Sequence, residues 1–166
     1  MGADLYINRL YKPLREASQP KFDAAVAQRD SATTDEEKKA AQNLVDDAYE
    51  QMYSDQAYFR DSYNGTSVLH RVGLSWWRDL EPDIDSDSDP DGSNLSAAAC
   101  LSFANRLRDA GPPEPITRQY LEANHCTVDG DKNSPEAWNR YFQEKYERLI
   151  DFFERGAANG GIYASC

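Results

Sequence analysis

The sequence contains few of the residues on which most catalytic and metal sites depend. Its 166 residues include only two histidines, three cysteines and two methionines. Cys100, Cys126 and Cys166 are odd in number and form no Cys-x-x-Cys pair, which disfavours both a disulfide framework and a zinc site. No glycine-rich segment leads into a helix, so the phosphate-binding loop of a nucleotide-binding enzyme is not expected either. This inventory favours a protein that binds over one that catalyses.

Long hydrophobic stretches are also missing. The longest run of small apolar residues, 97–101, is far shorter than the roughly 18 residues that span a bilayer. Residues 1–20 are interrupted by charges such as Asp4, Arg9 and Lys12, so they do not form the apolar segment of a signal peptide. Together with the unpaired cysteines, these features predict a cytoplasmic protein.

Positive charge is scarce as well. The chain has 18 basic and 29 acidic residues, which give a formal net charge of -11 and a pI near 4.6. Its hydrophobic fraction of 40% is enough to fold, although the mean hydropathy of -0.81 indicates a polar surface. A chain this acidic is not expected to bind nucleic acid or an anionic membrane directly. A charged partner should therefore be basic.

Apolar residues recur at helical spacing through most of the chain. Thr34, followed by three acids, predicts a capping box for a helix that runs to about Tyr53. Ser134 and Pro135 predict the start of a last helix, which Gly156 is expected to end. Further helices are predicted over 20–31, 66–80, 93–109 and 116–124. The first of these is expected to pair with the Thr34 helix as an antiparallel hairpin.

Strand signals are weak by comparison. Short apolar pieces at 5–7 and 162–163 are compatible with two small strands that pair near the termini. The sequence predicts an all-α fold, a single domain over 1–166 built as a bundle of five or six helices, with at most this minor strand pair. A long acidic loop over 79–92 joins two of the helices.

The most unusual feature is a run in which every odd position is acidic. It contains seven acids: Asp79, Glu81, Asp83, Asp85, Asp87, Asp89 and Asp91. In an extended chain, alternate side chains share one face about 6.6 Å apart, which resembles phosphate spacing along a nucleic acid strand. The run predicts a surface that imitates nucleic acid and occupies the basic groove of a nucleic-acid-binding protein. In general character, such a protein resembles phage-encoded inhibitors of nucleic-acid-binding defence effectors.

Two other interpretations of the acidic run stay open. Its prolines and serines also suit a solvated loop without a function. The run matches the first half of an EF-hand calcium loop, with Asp87, Asp89 and Asp91 as carboxylate ligands and Gly92 at the sixth position. The twelfth position is Ala98, where such a loop needs a glutamate. Calcium binding is therefore an alternative function.

The connection before the acidic run is rich in aromatic residues. Tyr58, Phe59 and Tyr63 precede an Asn-Gly turn signal. Aromatic side chains, tyrosine above all, dominate the energetic centres of protein-binding surfaces. These three residues are therefore predicted to contact the same partner as the acidic run.

A second alternative is catalytic. Arg118 and His125 are separated by six residues, which resembles the arginine-to-histidine spacing of HEPN ribonucleases. That resemblance implies that the pair would cradle and protonate a phosphodiester. Gln119 stands where that motif usually has asparagine, aspartate or histidine. The preferred prediction remains a non-catalytic protein that binds a basic partner.

Overall fold

The computed structural model describes residues 2–62, 67–84, 92–123 and 134–165, without the side chain of Glu81. Within these ranges the chain is mostly helical, but it also contains a four-stranded antiparallel sheet. The prediction of an all-α bundle is therefore wrong. The strands are only two to five residues long, and so short a stretch shows too little alternation to be told from a helix.

The helices and strands follow one another along the whole described chain. The helices are α1 Asn8–Ser31, α2 Asp35–Met52, α3 Val68–Arg71, α4 Ala97–Ala110, α5 Arg118–Ala123 and α6 Pro135–Ala158. The strands are β1 Gly2–Tyr6, β2 Tyr58–Ser62, β3 Leu95–Ser96 and β4 Gly161–Ser165. A π-helical turn, Trp76–Leu80, and a 3-10 turn, Glu81–Asp83, lie between α3 and β3.

The helix starts that depend on local capping agree with the prediction. The Thr34 hydroxyl accepts a hydrogen bond from the Glu37 amide at 3.2 Å, and the Glu37 carboxylate accepts one from the Thr34 amide at 3.1 Å. This reciprocal pair confirms the capping box of α2. The hydroxyl of Ser134 likewise caps α6 by accepting from the amide of Ala137.

Other helix boundaries differ from the prediction. The segment 66–80 is not one helix, because α3 stops after four residues and Gly73 follows with φ 75°. Helix α6 continues through Gly156 to Ala158. A Cβ on Gly156 would lie 2.5 Å from Cγ2 of Ile162, so this glycine allows α6 to pack closely on β4 and does not end the helix.

The sheet has the strand order β2-β1-β4-β3, so the strands nearest the two termini are neighbours at its centre. In β1, Ala3 and Leu5 are buried, whereas Asp4 and Tyr6 are partly exposed. Strand alternation therefore gives the sheet an inner and an outer face. The inner face packs against α4 and α6 to form the hydrophobic core.

A buried ion pair joins the inner face of the sheet to α6. The Asp61 carboxylate in β2 is fully buried and accepts from Lys145 Nζ at 2.8 Å. The carboxylate also accepts from Ser67 Oγ at 2.7 Å, Val68 N at 3.1 Å, Leu69 N at 3.4 Å and Trp76 Nε1 at 3.1 Å. Asp61 therefore connects β2, the start of α3, the π-helical turn and α6 through one side chain.

Helices α1 and α2 form the predicted antiparallel hairpin and pack chiefly on each other. Small side chains such as Ala25, Ala41 and Ala48 are buried between them. Tyr11 of α1 and Tyr53, just after α2, connect the base of this hairpin to the sheet. Throughout the described ranges, every helix is too short or too polar to cross a membrane.

Candidate functional site

The first residue of the acidic run serves an internal role. The Asp79 side chain is only 12% exposed, and it accepts from Arg106 Nη2 at 2.7 Å and from Arg78 Nε at 3.0 Å. It also accepts from the amide of Ser75 at 2.8 Å. Burial opposes ionisation of Asp79, but the bonds from Arg78 and Ser75 outweigh it and hold the pKa below its ordinary value. Asp79 thus stabilises the π-helical turn and offers little charge to a partner.

Only one other side chain of the run is described. The carboxylate of Asp83 is 43% exposed and lies 3.7 Å from Nη1 of Arg106. The predicted contact residues that lie outside the described residues are the side chain of Glu81, Asp85, Asp87, Asp89 and Asp91. The proposed calcium ligands are among them. Among the residues that the structure does describe, no group of three or more histidine, cysteine or acidic side chains could hold a metal ion.

The predicted aromatic contact residues divide between the two faces of the sheet. Phe59 is 3% exposed and packs against Phe152, with ring centroids 5.8 Å apart. It therefore belongs to the core and cannot form part of a contact surface. Tyr58, its neighbour in β2, points to the outer face, whereas Tyr63 lies outside the described residues.

Of the two residues predicted for a ribonuclease, Arg118 is exposed at the start of α5, and His125 lies outside the described residues.

Tyr58 belongs to a larger cluster on the outer face of the sheet, which we call the tyrosine surface. Its rings contact one another with centroids 4.5 to 6.1 Å apart. The tyrosine surface consists of Tyr6, Tyr11, Tyr49, Tyr53, Tyr58 and Tyr163. Sequence reasoning found only Tyr58. Tyr6, Tyr11 and Tyr163 are far from it along the chain, and the helical periodicity assigns Tyr49 and Tyr53 to the apolar stripe of α2.

Strand register and helix periodicity together build this cluster. Tyr6 in β1 is directly opposite Tyr58 in β2 and Tyr163 in β4, so the three rings form a row across the sheet. Tyr49 and Tyr53 lie one helical turn apart at the end of α2. The row and the helical pair meet where Tyr53 packs edge-on against Tyr58, with centroids 4.9 Å apart.

Part of the tyrosine surface is open to solvent and encloses a pocket. Tyr49 is 49% exposed and Tyr163 is 40% exposed, although both are large aromatic residues. The pocket has a volume of about 360 Å³. It is lined by Tyr6, Asn8, Tyr11, Lys12, Arg15, Tyr53 and Tyr163. The site therefore combines aromatic walls with two cationic side chains from α1.

Two tyrosine hydroxyls of this site, those of Tyr11 and Tyr58, have a pKa well above the ordinary tyrosine value. Burial, followed by a hydrogen bond with Tyr53, raises the pKa of Tyr11 to about 12. Burial and a 2.5 Å hydrogen bond donated to the Asp4 carboxylate also raise the pKa of Tyr58. Arg60, 3.8 Å from Asp4, partly balances that carboxylate's charge. The hydroxyls can thus act as neutral hydrogen-bond donors and acceptors.

Gly92, which follows the acidic run in the sequence, lies at the rim of the tyrosine pocket. A Cβ on it would lie 3.2 Å from Nδ2 of Asn8 and 3.5 Å from Nζ of Lys12. Both side chains line the pocket. The Asn94 side chain bonds the backbone of Ala164 in β4 through both its oxygen and its nitrogen, which holds the segment just after Gly92 against the sheet.

Comparisons with protein-family models, curated proteins and solved structures give no match for this chain. The residues and their geometry are therefore the basis for any functional conclusion.

Proposed function

We propose that this chain is a non-catalytic protein that binds a basic partner through the tyrosine surface and the acidic run beside it. The observation that carries the proposal is the position of Gly92, the residue that follows the acidic run in the sequence, beside Asn8 and Lys12 at the rim of the tyrosine pocket. Two features that are distant in the sequence can therefore contribute to one contact surface.

The tyrosine surface has the properties of an energetic centre for binding. Tyrosine rings offer a large, stiff contact area with few rotatable bonds, and their hydroxyls form hydrogen bonds to a partner. Here the rings already pack against one another, so little side-chain entropy remains to be lost on binding. Tyr49 and Tyr163 are the most exposed members and are the expected principal contacts.

The acidic run would act mainly on the rate of association and on the choice of partner. A dense set of carboxylates attracts a basic surface over a distance and repels acidic competitors. If the partner is a nucleic-acid-binding protein, the run would occupy lysines and arginines that otherwise neutralise phosphates. Binding to this chain and to nucleic acid would then be mutually exclusive, and both would weaken as the salt concentration rises.

Affinity capture with the wild-type chain and three variants as baits tests this proposal. The first variant combines Tyr49→Ala and Tyr163→Ala, and the second replaces Asp85, Asp87, Asp89 and Asp91 with asparagine. The control combines Leu101→Ala and Tyr141→Ala, which removes two side chains of similar exposure, 49% and 45%, from α4 and α6. We expect the wild type and the control to retain a basic protein. Each of the other two variants should retain little or none of it.

Competition then tests imitation of nucleic acid. The captured protein is loaded with its nucleic acid, and increasing amounts of the wild-type chain are added. Displacement that disappears with the asparagine variant supports the proposal. A stable complex of all three components would contradict the mimicry, and equal retention of the same proteins by every bait would contradict the contact surface itself.

A further inference from the structure

The tyrosine pocket has a second property that protein binding does not require. We propose that it binds a small planar ligand that carries a single phosphate group, of the class of a nucleoside monophosphate. The proposal rests on the lining of the pocket and does not depend on the protein partner proposed above.

Aromatic rings form the walls on which a planar group could stack. Tyr6 contacts Tyr11 with ring centroids 4.7 Å apart and Tyr163 with centroids 6.1 Å apart. Tyr11 contacts Tyr53 at 5.9 Å. These four rings surround the pocket from both sheet and helix. Nucleic acid bases stack favourably on tyrosine faces regardless of base identity, so a purine or pyrimidine ring suits these walls.

Polar groups from one helix supply the contacts that a phosphate needs. Asn8, Lys12 and Arg15 all line the pocket and follow one another at intervals of four and three residues, so they lie on one face of α1. The first turn of α1 also contains no acidic residue, and its positive dipole end favours an anion.

Size and charge favour a small ligand over a nucleic acid strand. The volume of about 360 Å³ lies at the lower end of the range for small-molecule sites. A strand would carry many phosphates past a chain with a net charge of -11 and past the end of the acidic run at Gly92. A ligand with one phosphate is repelled far less and can place it beside Lys12 and Arg15.

Calorimetric titration with AMP, adenosine and inorganic phosphate tests the proposal. We expect AMP to bind, adenosine to bind at least about tenfold more weakly, and phosphate alone to bind weakest, because stacking and charge act together only in AMP. Arg15→Gln should weaken AMP about tenfold and leave adenosine unchanged, since it removes one charged hydrogen-bond donor. Tyr163→Ala should weaken both ligands, because it removes a wall.

Matched controls separate these effects from damage to the fold. Arg140→Gln and Tyr141→Ala remove an exposed cation and an exposed tyrosine from α6 and should leave AMP binding unchanged. Thermal unfolding of every variant confirms that it is folded. The asparagine variant of the acidic run should keep AMP binding even if it loses the protein partner, so the two proposals can fail separately. Three results would each overturn the proposal. They are the absence of a heat of binding at millimolar AMP, equal affinity for AMP and adenosine, and control variants that lose as much AMP affinity as the pocket variants.

Discussion

The two faces of the small sheet show how the same strands serve different purposes. On the inner face, Ala3, Leu5 and Phe59 are buried against the helices of the core. On the outer face, Tyr6 and Tyr58 remain partly exposed and join the tyrosine surface. The inner face thus stabilises the fold, whereas the outer face is available for binding.

One carboxylate on each face illustrates this difference. Asp61, on the inner face, is fully buried and accepts five hydrogen bonds, one of them from Lys145. Asp4, on the outer face, is 28% exposed and interacts with Tyr58 and Arg60. A buried, fully bonded carboxylate organises several segments, whereas an exposed pair contributes little to stability.

Replacement of these two carboxylates should give the largest difference in the free energy of unfolding between the two faces. Asp61→Ala leaves the ammonium of Lys145 and several other donors buried without their acceptor, and we expect a loss of about 4 kcal/mol in the free energy of unfolding. Asp4→Ala should cost about 1 to 2 kcal/mol, because it removes only a solvated ion pair and the hydrogen bond from Tyr58. Urea denaturation of both variants measures the two losses. Losses of similar size would contradict the division between the faces.

Aromatic side chains on the two faces should differ nearly as much in their contribution to the free energy of unfolding. Phe59→Ala opens a cavity against Phe152, and we expect it to reduce the free energy of unfolding by about 3 kcal/mol. Tyr163→Ala, at a residue that is 40% exposed, should cost about 1 kcal/mol or less. Thermal and urea unfolding compare the two variants directly. A small effect of Phe59→Ala on the free energy of unfolding would contradict the role of Phe59 in the core.

The smallest effect concerns pH and is largest at the tyrosines of the outer face. The raised pKa of Tyr11, about 12, means that the folded chain keeps a proton that the unfolded chain releases near pH 10. Its contribution to stability is therefore complete below pH 10 and is lost as the pH rises toward 12. Absorbance at 295 nm should show late-titrating tyrosines in the folded chain and ordinary titration in concentrated urea.

Tyr58→Phe supplies the control for this titration. Its hydroxyl also has a raised pKa, so the variant should lose one late-titrating group while the others remain. Stability at neutral pH should change by only about 1 kcal/mol, because one hydrogen bond is removed. If all tyrosines titrate together near pH 10 in the folded chain, the cluster is more solvated than its geometry indicates.

Local signals in the sequence predicted the helices with strong caps. The capping box at Thr34 and the Ser134-Pro135 start depend on residues within one turn of the helix, so their neighbours in the sequence are enough to specify them. Apart from a pairing of short segments near the termini, the four-stranded sheet escaped prediction, because each strand is short and its partners are remote. Leu5 pairs with Phe59 on one side and Ala164 on the other, and no local pattern indicates this register.

The candidate site was only partly predictable for the same reason. Tyr58 was selected because aromatic residues are concentrated near it, but Phe59 was selected with it although the strand turns these neighbours to opposite faces. Tyr6, Tyr49 and Tyr163 carried no signal of their own. They join one cluster only because β1 pairs with β2 and β4 and because the base of the helical hairpin packs against the sheet.

The sequence by itself determined the acidic balance of this chain, the concentration of seven acids between Asp79 and Asp91, and the starts of α2 and α6. These properties follow from composition and from contacts between residues close in the chain. Only the tertiary structure decided the sheet, the burial of Phe59 and the assembly of the tyrosine surface. Each depends on pairing between distant segments, because strand partners and packing faces are selected only when the whole core closes.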